Sequence, residues 1–232
     1  MKPGEILFLN RNEVAQFITP AEVLELTEKA LVEFSLGNAI NPSMEMILRA
    51  KPGITEVVAC DLSPELREEF IAKGHAEYPN VSFSGIEDHR TALRDTDIVV
   101  YVTSADRPLL ENGDPAEGVT VITVCELLTR KSVGMFDHWY TDFAECALER
   151  YNDGGKQSAE SRGLAWEDLT MDMVRGETGD VITGKLPGRT NDKEKILAGA
   201  VGVSVEDVIC AELVYKKAID QGYGRILDLV DL

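Results

Sequence analysis

Apolar and polar positions follow two patterns along this chain. From Thr55 to Val124, short unbroken apolar runs alternate with stretches of helical period. Thr55–Asp61, Val81–Ser84, Thr96–Ala105 and Gly118–Val124 read as strands, with Ser132–Phe136 as a weaker one. Strands without a polar face, separated by helices, predict a parallel α/β sheet covered on both sides. Helical signals lie between and around them. Ser63 caps a helix over Ser63–Gly74, with Pro64 at its first position. Glu87–Leu93 is a short helical segment, and Thr141–Gly155, Leu164–Gly176 and Ser204–Gly224 carry helical spacing, with Ile182–Lys195 as a loop. At the start, Glu5–Leu9 reads as a strand. Ile18–Asn38 reads as a helix capped by Thr19, with Pro20 next, Glu22 completing a capping box and Gly37 as its stop. Met44–Ala50 has the look of a helix leaving a phosphate loop.

The strand Thr55–Asp61 ends in an acid, followed by a turn and a helix start. In a dinucleotide-binding sheet, an acid at that place accepts the hydroxyl hydrogens of the adenosine ribose and repels a 2′-phosphate, which selects NAD over NADP. Asp61 is therefore the leading cofactor-binding candidate, with Leu62 beside it; the simpler role open to Asp61 is to turn the chain into the Ser63 cap. Ligands of such sheets lie beyond the carboxyl ends of the strands. That places Val102, Thr103 and Ser104, at the end of the run Thr96–Ala105, along the same edge.

The glycine-rich turn that should cradle the pyrophosphate is missing. No G-x-G-x-x-G occurs, and the glycines near Gly176 and Gly222 do not sit between a strand and a helix. His75, His89 and His138 lack metal-ligand spacing, and none adjoins a nucleophile motif. His75 and His89 read as surface residues and His138 as partly buried. The pairs Asp168/Asp172 and Glu145/Glu149 read as solvated helix faces. No metal site is expected.

Composition narrows the partners. The 232 residues carry 41 acidic against 23 basic side chains, a formal charge of −18. Such a field repels nucleic acid and anionic lipid. Cys60, Cys125, Cys146 and Cys210 are scattered without C-x-x-C, which suits a reducing cytoplasm. The opening apolar run is too short for a signal peptide, and no stretch reaches the length of a membrane span.

Three pieces together resemble the ornithine cyclodeaminase/mu-crystallin family: Ile6–Pro42, the core Ile54–Val124, and above all Leu186–Ala218 (LPGRTNDKEKILAGAVGVSVEDVICAELVYKKA). The resemblance implies a Rossmann-like parallel sheet inserted in a dimerisation and substrate domain built from both chain ends. The corresponding division here is 1–43 with 191–232, against 44–190. It also implies an NAD(P)-dependent enzyme acting on an amino acid or its imine (a cyclodeaminase, imine or ketimine reductase, or amino-acid dehydrogenase) and a homodimer or larger assembly. The alternative on the same scaffold is a non-catalytic, crystallin-like binding protein. A methyltransferase also uses an acidic second strand end, but the C-terminal resemblance opposes it. Compared with the family, a central block carrying the first strand, the glycine loop and the substrate-binding basic residues is lacking near Pro42–Met44. A Gly-x-Asp segment with the catalytic acid is lacking after Val124. No catalytic residue is carried over.

Overall fold

In a computed structural model, residues 5–19, 21–23, 25–26, 53–103, 105–124, 127–202 and 204–228 are described. The predicted segments Met44–Ala50 and Pro42–Met44, most of Ile18–Asn38, and the residues Ser104 and Cys125 lie outside them. The chain forms two compact units: Met1–Ala50 with Gly202–Leu232, and Lys51–Val201.

The larger unit runs β2 (Glu56–Cys60), α2 (Pro64–Glu77), β3 (Ser82–Ile86), α3 (His89–Asp95), β4 (Ile98–Tyr101), β5 (Thr120–Thr123), α4 (Arg130–Val133), β6 (His138–Thr141), α5 (Ala144–Ser161), β7 (Gly176–Glu177), α6 (Thr178–Ile182) and β8 (Ile196–Gly199). Five strands form one parallel sheet in the order β4-β5-β8-β6-β7, and β2 pairs with β3, also in parallel. In the centre, Leu197 of β8 stands level with Val121 on one side and Trp139 on the other. All three are buried, together with Leu93, Leu110 and Leu128. Their clustering explains the unbroken apolar runs, because both faces of these strands are covered.

Local chemistry sets the helix starts. The Ser63 hydroxyl accepts from the Leu66 N–H at 3.2 Å, with Pro64 behind it, as the sequence predicts. The helix continues past Gly74, which lies under the Phe83 ring. Asp88 caps α3 through the Arg90 N–H.

Two predicted elements differ. Ser132–Phe136 is not a strand. Thr129 and Ser132 form a reciprocal capping box that turns Arg130–Val133 into a helix, and the strand follows at His138–Thr141. Leu164–Gly176 is not an α-helix either. The Asn152 side chain accepts from the Leu169 N–H at 2.8 Å and donates to the Leu169 carbonyl at 3.0 Å, and Leu169 is buried. These bonds hold 164–170 open, so Asp168 and Asp172 do not share a helix face; only Met171–Met173 makes a single 3-10 turn.

The smaller unit pairs β1 (Glu5–Phe8) antiparallel with β9 (Arg225–Asp228). Asn10 caps α1 (Arg11–Phe17) in a capping box with Glu13. Phe17 packs with Val214 and Ala218 of α7 (Ser204–Asp220) in a small core. The Thr19/Glu22 box forms as predicted: the Glu22 N–H donates to the Thr19 hydroxyl at 3.2 Å and the Thr19 N–H to the Glu22 carboxylate at 2.9 Å. Lys217 joins these pieces, donating to the Phe17 carbonyl at 2.8 Å and to Glu22. The Lys217 bond and the Thr19 bonds hold the Glu22 carboxyl down to about 2.

Candidate functional site

The strands of the larger unit's sheets are parallel to their neighbours, so their carboxyl ends gather along one edge of each sheet. At the end of β2 the chain turns through Asp61. Its Oδ1 accepts from the Ser63 N–H at 2.7 Å, so Asp61 does set the turn before the cap. Arg67, one turn into α2, donates from Nη1 to the Asp61 carbonyl at 3.0 Å. Its stem runs beside Gly85 of β3, where a Cβ would come within 2.9 Å of the arginine Cδ. Asp61, Leu62, Pro64, Arg67 and Glu87 line an open hollow of about 370 Å³. Asp61 and Leu62, named from the sequence, thus lie together. Arg67 and Glu87 were missed; the spacing of Arg67 from the Ser63 cap was the available signal, since it puts the side chain back over the helix start.

Thr103 follows β4 after Val102. Its hydroxyl accepts from the Ala105 N–H at 3.0 Å, closing a tight turn, and Val102 is two-thirds exposed. Neither lines the hollow. Ser104 is outside the described residues.

Two more carboxylates stand at the same ends of β6 and β7, and sequence reasoning passed over both. Asp142 is 3% exposed. Its Oδ1 accepts from the Phe143 N–H at 2.9 Å and the Thr141 hydroxyl at 3.0 Å, and its Oδ2 accepts from the Val201 N–H at 2.8 Å. Glu177 accepts from the Ala144 N–H at 3.0 Å. Burial first, then repulsion from Asp180, Asp142 and Glu145, pushes the Glu177 carboxyl above its ordinary value. Phe143 has no capping side chain of its own, so these two acids satisfy the first N–H groups of α5. Both carboxylates hold the start of α5 in place. The signal was an acid directly after the aromatic run of β6.

The histidines lie elsewhere. His138 begins β6 at the amino edge, with Nε2 at 3.6 Å from Glu194. His89 is half-buried rather than on the surface, with Nδ1 2.9 Å from the Tyr101 hydroxyl; burial lowers its pKa. His75 is exposed, its ring edge-on to Phe83. Among the described residues no group of three or more His, Cys, Asp or Glu could hold a metal, and no helix is long and apolar enough to cross a membrane.

The adenosine end of a dinucleotide fits these residues: a carboxylate stands at the second strand end beside an open hollow. A pyrophosphate cradle is not found among them.

Comparison with known proteins bears on the fold and the family. The chain is 22% identical over 202 residues to N-((2S)-2-amino-2-carboxyethyl)-L-glutamate dehydrogenase of Staphylococcus aureus, covering 87% of this chain and 58% of that protein. The chain spans about half the length of the curated relatives it matches. Among solved structures, the Δ1-pyrroline-2-carboxylate reductase of Thermococcus litoralis, in complex with NADH and L-proline, aligns with a TM-score of 0.73 at 16% identity, over 95% of this chain and 99% of that one. An archaeal alanine dehydrogenase dimer with bound NAD aligns at 0.75 and 16% identity, over 96% of this chain and 99% of that one. These likenesses establish a Rossmann-like α/β fold. The model of one family matches residues 36–222, most of the chain, and on that match this protein belongs to the ornithine cyclodeaminase/mu-crystallin family.

Proposed function

We propose that this chain is the cofactor-holding part of an NAD-dependent oxidoreductase that interconverts an amino acid and its imine. The observation that carries the reading is Asp61 at the carboxyl end of β2, facing an open hollow. One of its oxygens holds the Ser63 N–H, which fixes the carboxylate's direction. The other can accept ribose hydroxyl hydrogens, and the same charge disfavours a 2′-phosphate. Arg67 is the cation nearest to hand for such a phosphate. It donates from Nη1 to the Asp61 carbonyl and runs along Gly85, so the reading of NAD over NADP rests on the Asp61 charge and not on Arg67.

When bound, a nicotinamide accepts or donates the hydride at the amino-acid carbon. The chain's part is to anchor the adenosine half through Asp61 and Leu62, with Val102 and Thr103, which follow β4, as further candidates. Anchoring that half does not orient the ring for transfer, which needs both pyrophosphate and substrate held. The 232-residue chain alone is therefore expected to bind NADH weakly and to show no NADH-dependent reduction of cyclic imines and no oxidation of ornithine, proline or alanine. Calorimetric titration with NADH and NADPH, beside an absorbance assay of the reduced nicotinamide, tests both halves. Turnover by the chain alone would show that the active site lies elsewhere.

A crystallin-like binding protein without catalysis is the second reading. Asp142 and Glu177 favour it, because both acids at the strand ends are engaged as caps of α5. A small ligand retained without any cofactor would support it.

We also expect a homodimer or larger assembly, in a cytoplasmic setting. Val214 of α7 is buried against Phe17. Val208, Tyr215 and Ile219 form the exposed stripe of α7 instead, suited to a second copy.

A further inference from the structure

We propose that His89 and Tyr101 form an acid-released fastener that holds the start of α3 to the end of β4, and that protonating His89 loosens the hollow at Glu87. His89 is the first residue of α3, shortly after β3 ends at Ile86, and Tyr101 is the last residue of β4. The two strands belong to different sheets. His89 Nδ1 lies 2.9 Å from the Tyr101 hydroxyl, and the rings meet edge-on with centroids 5.8 Å apart. The contact is sheltered: His89 is half-buried and Tyr101 is 6% exposed. Between Ile86 and α3 stands Glu87, which lines the hollow with Asp61 and Arg67. Beyond Tyr101 come Val102 and the turn at Thr103. One bond thus ties the segment leaving β3 to the segment leaving β4.

The two ends of α3 are held by different chemistry. Near its carboxyl end Leu93 is fully buried, and its carbonyl accepts from the Ala116 N–H at 2.9 Å. Neither interaction titrates. At its start Asp88 accepts from the Arg90 N–H at 3.0 Å and from the Arg90 Nε at 2.8 Å, and His89 meets Tyr101. A helix of seven residues has two turns, so freeing the first leaves one turn anchored on Leu93.

A neutral imidazole nitrogen can accept the tyrosine hydrogen or donate to the tyrosine oxygen; an imidazolium can only donate. Protonation therefore removes the acceptor and sets a charge beside a buried hydroxyl, which is unfavourable. The charged groups acting on the ring are Asp88 and Arg90, at the start of its own helix, while β4 faces it with the Tyr101 hydroxyl. The side-chain bond from Arg90 holds the Asp88 carboxyl down to about 2, so Asp88 stays ionised while His89 titrates. Burial is the largest influence on His89 and lowers its pKa from the ordinary 6.5; Asp88 opposes it and Arg90 adds to it. The folded chain then binds fewer protons than the unfolded chain below 6.5. The stability carried by neutral His89 is whole above that value and is lost as pH falls from it through the folded pKa.

The test is an NMR titration of the full chain without ligand, from about pH 7.5 to 5. The His89 ring should titrate with a midpoint below 6.5, and the amides of Glu87, Val102 and Thr103 should shift with the same midpoint. Backbone order parameters at residues 87–90 should fall from about 0.85 toward 0.6 on the acid side. His89→Gln can still bond Tyr101 but does not titrate, and should abolish these changes. Tyr101→Phe should leave the ring titrating and uncouple Val102 and Thr103 from it. A midpoint at or above 6.5, amides that ignore the ring, unchanged order parameters, or the same changes in His89→Gln would overturn the fastener. A second arm rests on the functional reading: NADH affinity should fall about threefold or more across the same range, and less in His89→Gln. Loosening without that fall would leave the fastener standing and count against the cofactor reading.

Discussion

Gly74→Ala sets two effects against each other. In an exposed helix interior the change stabilises by about 1 kcal/mol through backbone entropy. At Gly74 the added Cβ would lie 2.3, 2.4 and 2.7 Å from three Phe83 ring carbons. Ordinary carbon contacts are about 3.5–4.0 Å, so the overlap exceeds an ångström. The ring has little room to yield. It is 6% exposed, and Phe70, His75 and Tyr78 stand around it with centroids 6.2, 5.5 and 6.5 Å away. Overpacking of this kind costs about 1–3 kcal/mol, and the size of the overlap points to the upper end. The sum is a net loss of about 1–2 kcal/mol, read as a lower urea midpoint at unchanged slope. Relief comes from α2 lifting off β3, which carries Ser63 and Arg67 away from Asp61. NADH affinity should therefore fall although Gly74 lies far from the hollow. Combined with Phe83→Leu, the alanine should lose its penalty. A single mutant more stable than wild type by about 1 kcal/mol would show that propensity wins and that the ring is not confined.

Three further outcomes follow from other contacts. The folded-state pKa of Glu177 lies above its ordinary 4.5, so the folded chain keeps a proton that the unfolded chain releases. Stability should fall as pH rises from about that ordinary value through the folded one. Glu177→Gln keeps the acceptor for Ala144, should erase that slope and gain on wild type at neutral pH, whereas Glu177→Ala should lose about 1 kcal/mol throughout; thermal melts across pH 4–8 (roughly the span where carboxylates titrate) check both. Asn152→Ala removes both bonds to Leu169 and should cost about 1–3 kcal/mol, seen as faster proteolysis between Leu164 and Thr170. Light scattering at micromolar concentration should report a dimer or larger, and Ile219→Glu on α7 should shift it toward monomer.

The strands β2, β4 and β5 were legible because burial on both faces leaves an unbroken apolar signature. The starts of α2 and of the helix after Thr19 were legible because cap chemistry is local. Elements fixed by distant partners were not. Leu164–Gly176 has helical spacing, but its backbone is held by Asn152, a side chain on another element. β6 is four residues of His, Trp, Tyr and Thr, with no aliphatic run, and its Trp139 is buried by long-range packing. The Asn10 box of α1 and the strand β9 passed unnoticed, since each is short and one depends on pairing with β1. In the site, the acid at a strand end was recognisable and its companion Arg67 was not, because that contact appears only once α2 is wound. Asp142 follows the aromatic run of β6 in sequence, but its Val201 partner and the Ala144 partner of Glu177 come beside them only in the folded sheet.

Asp61 is expected to bind the cofactor ribose beyond setting a turn, and one titration addresses this. Asp61→Asn keeps an oxygen for the Ser63 N–H and removes the charge, so the turn and the melting temperature should hold. Calorimetry on wild type, Asp61→Asn and Asp61→Ala should give a weakening of NADH binding by about 1–3 kcal/mol in both variants, with the preference over NADPH narrowed in each. If all three proteins bind both nucleotides alike, Asp61 is a turn residue only and the cofactor site is not at the end of β2.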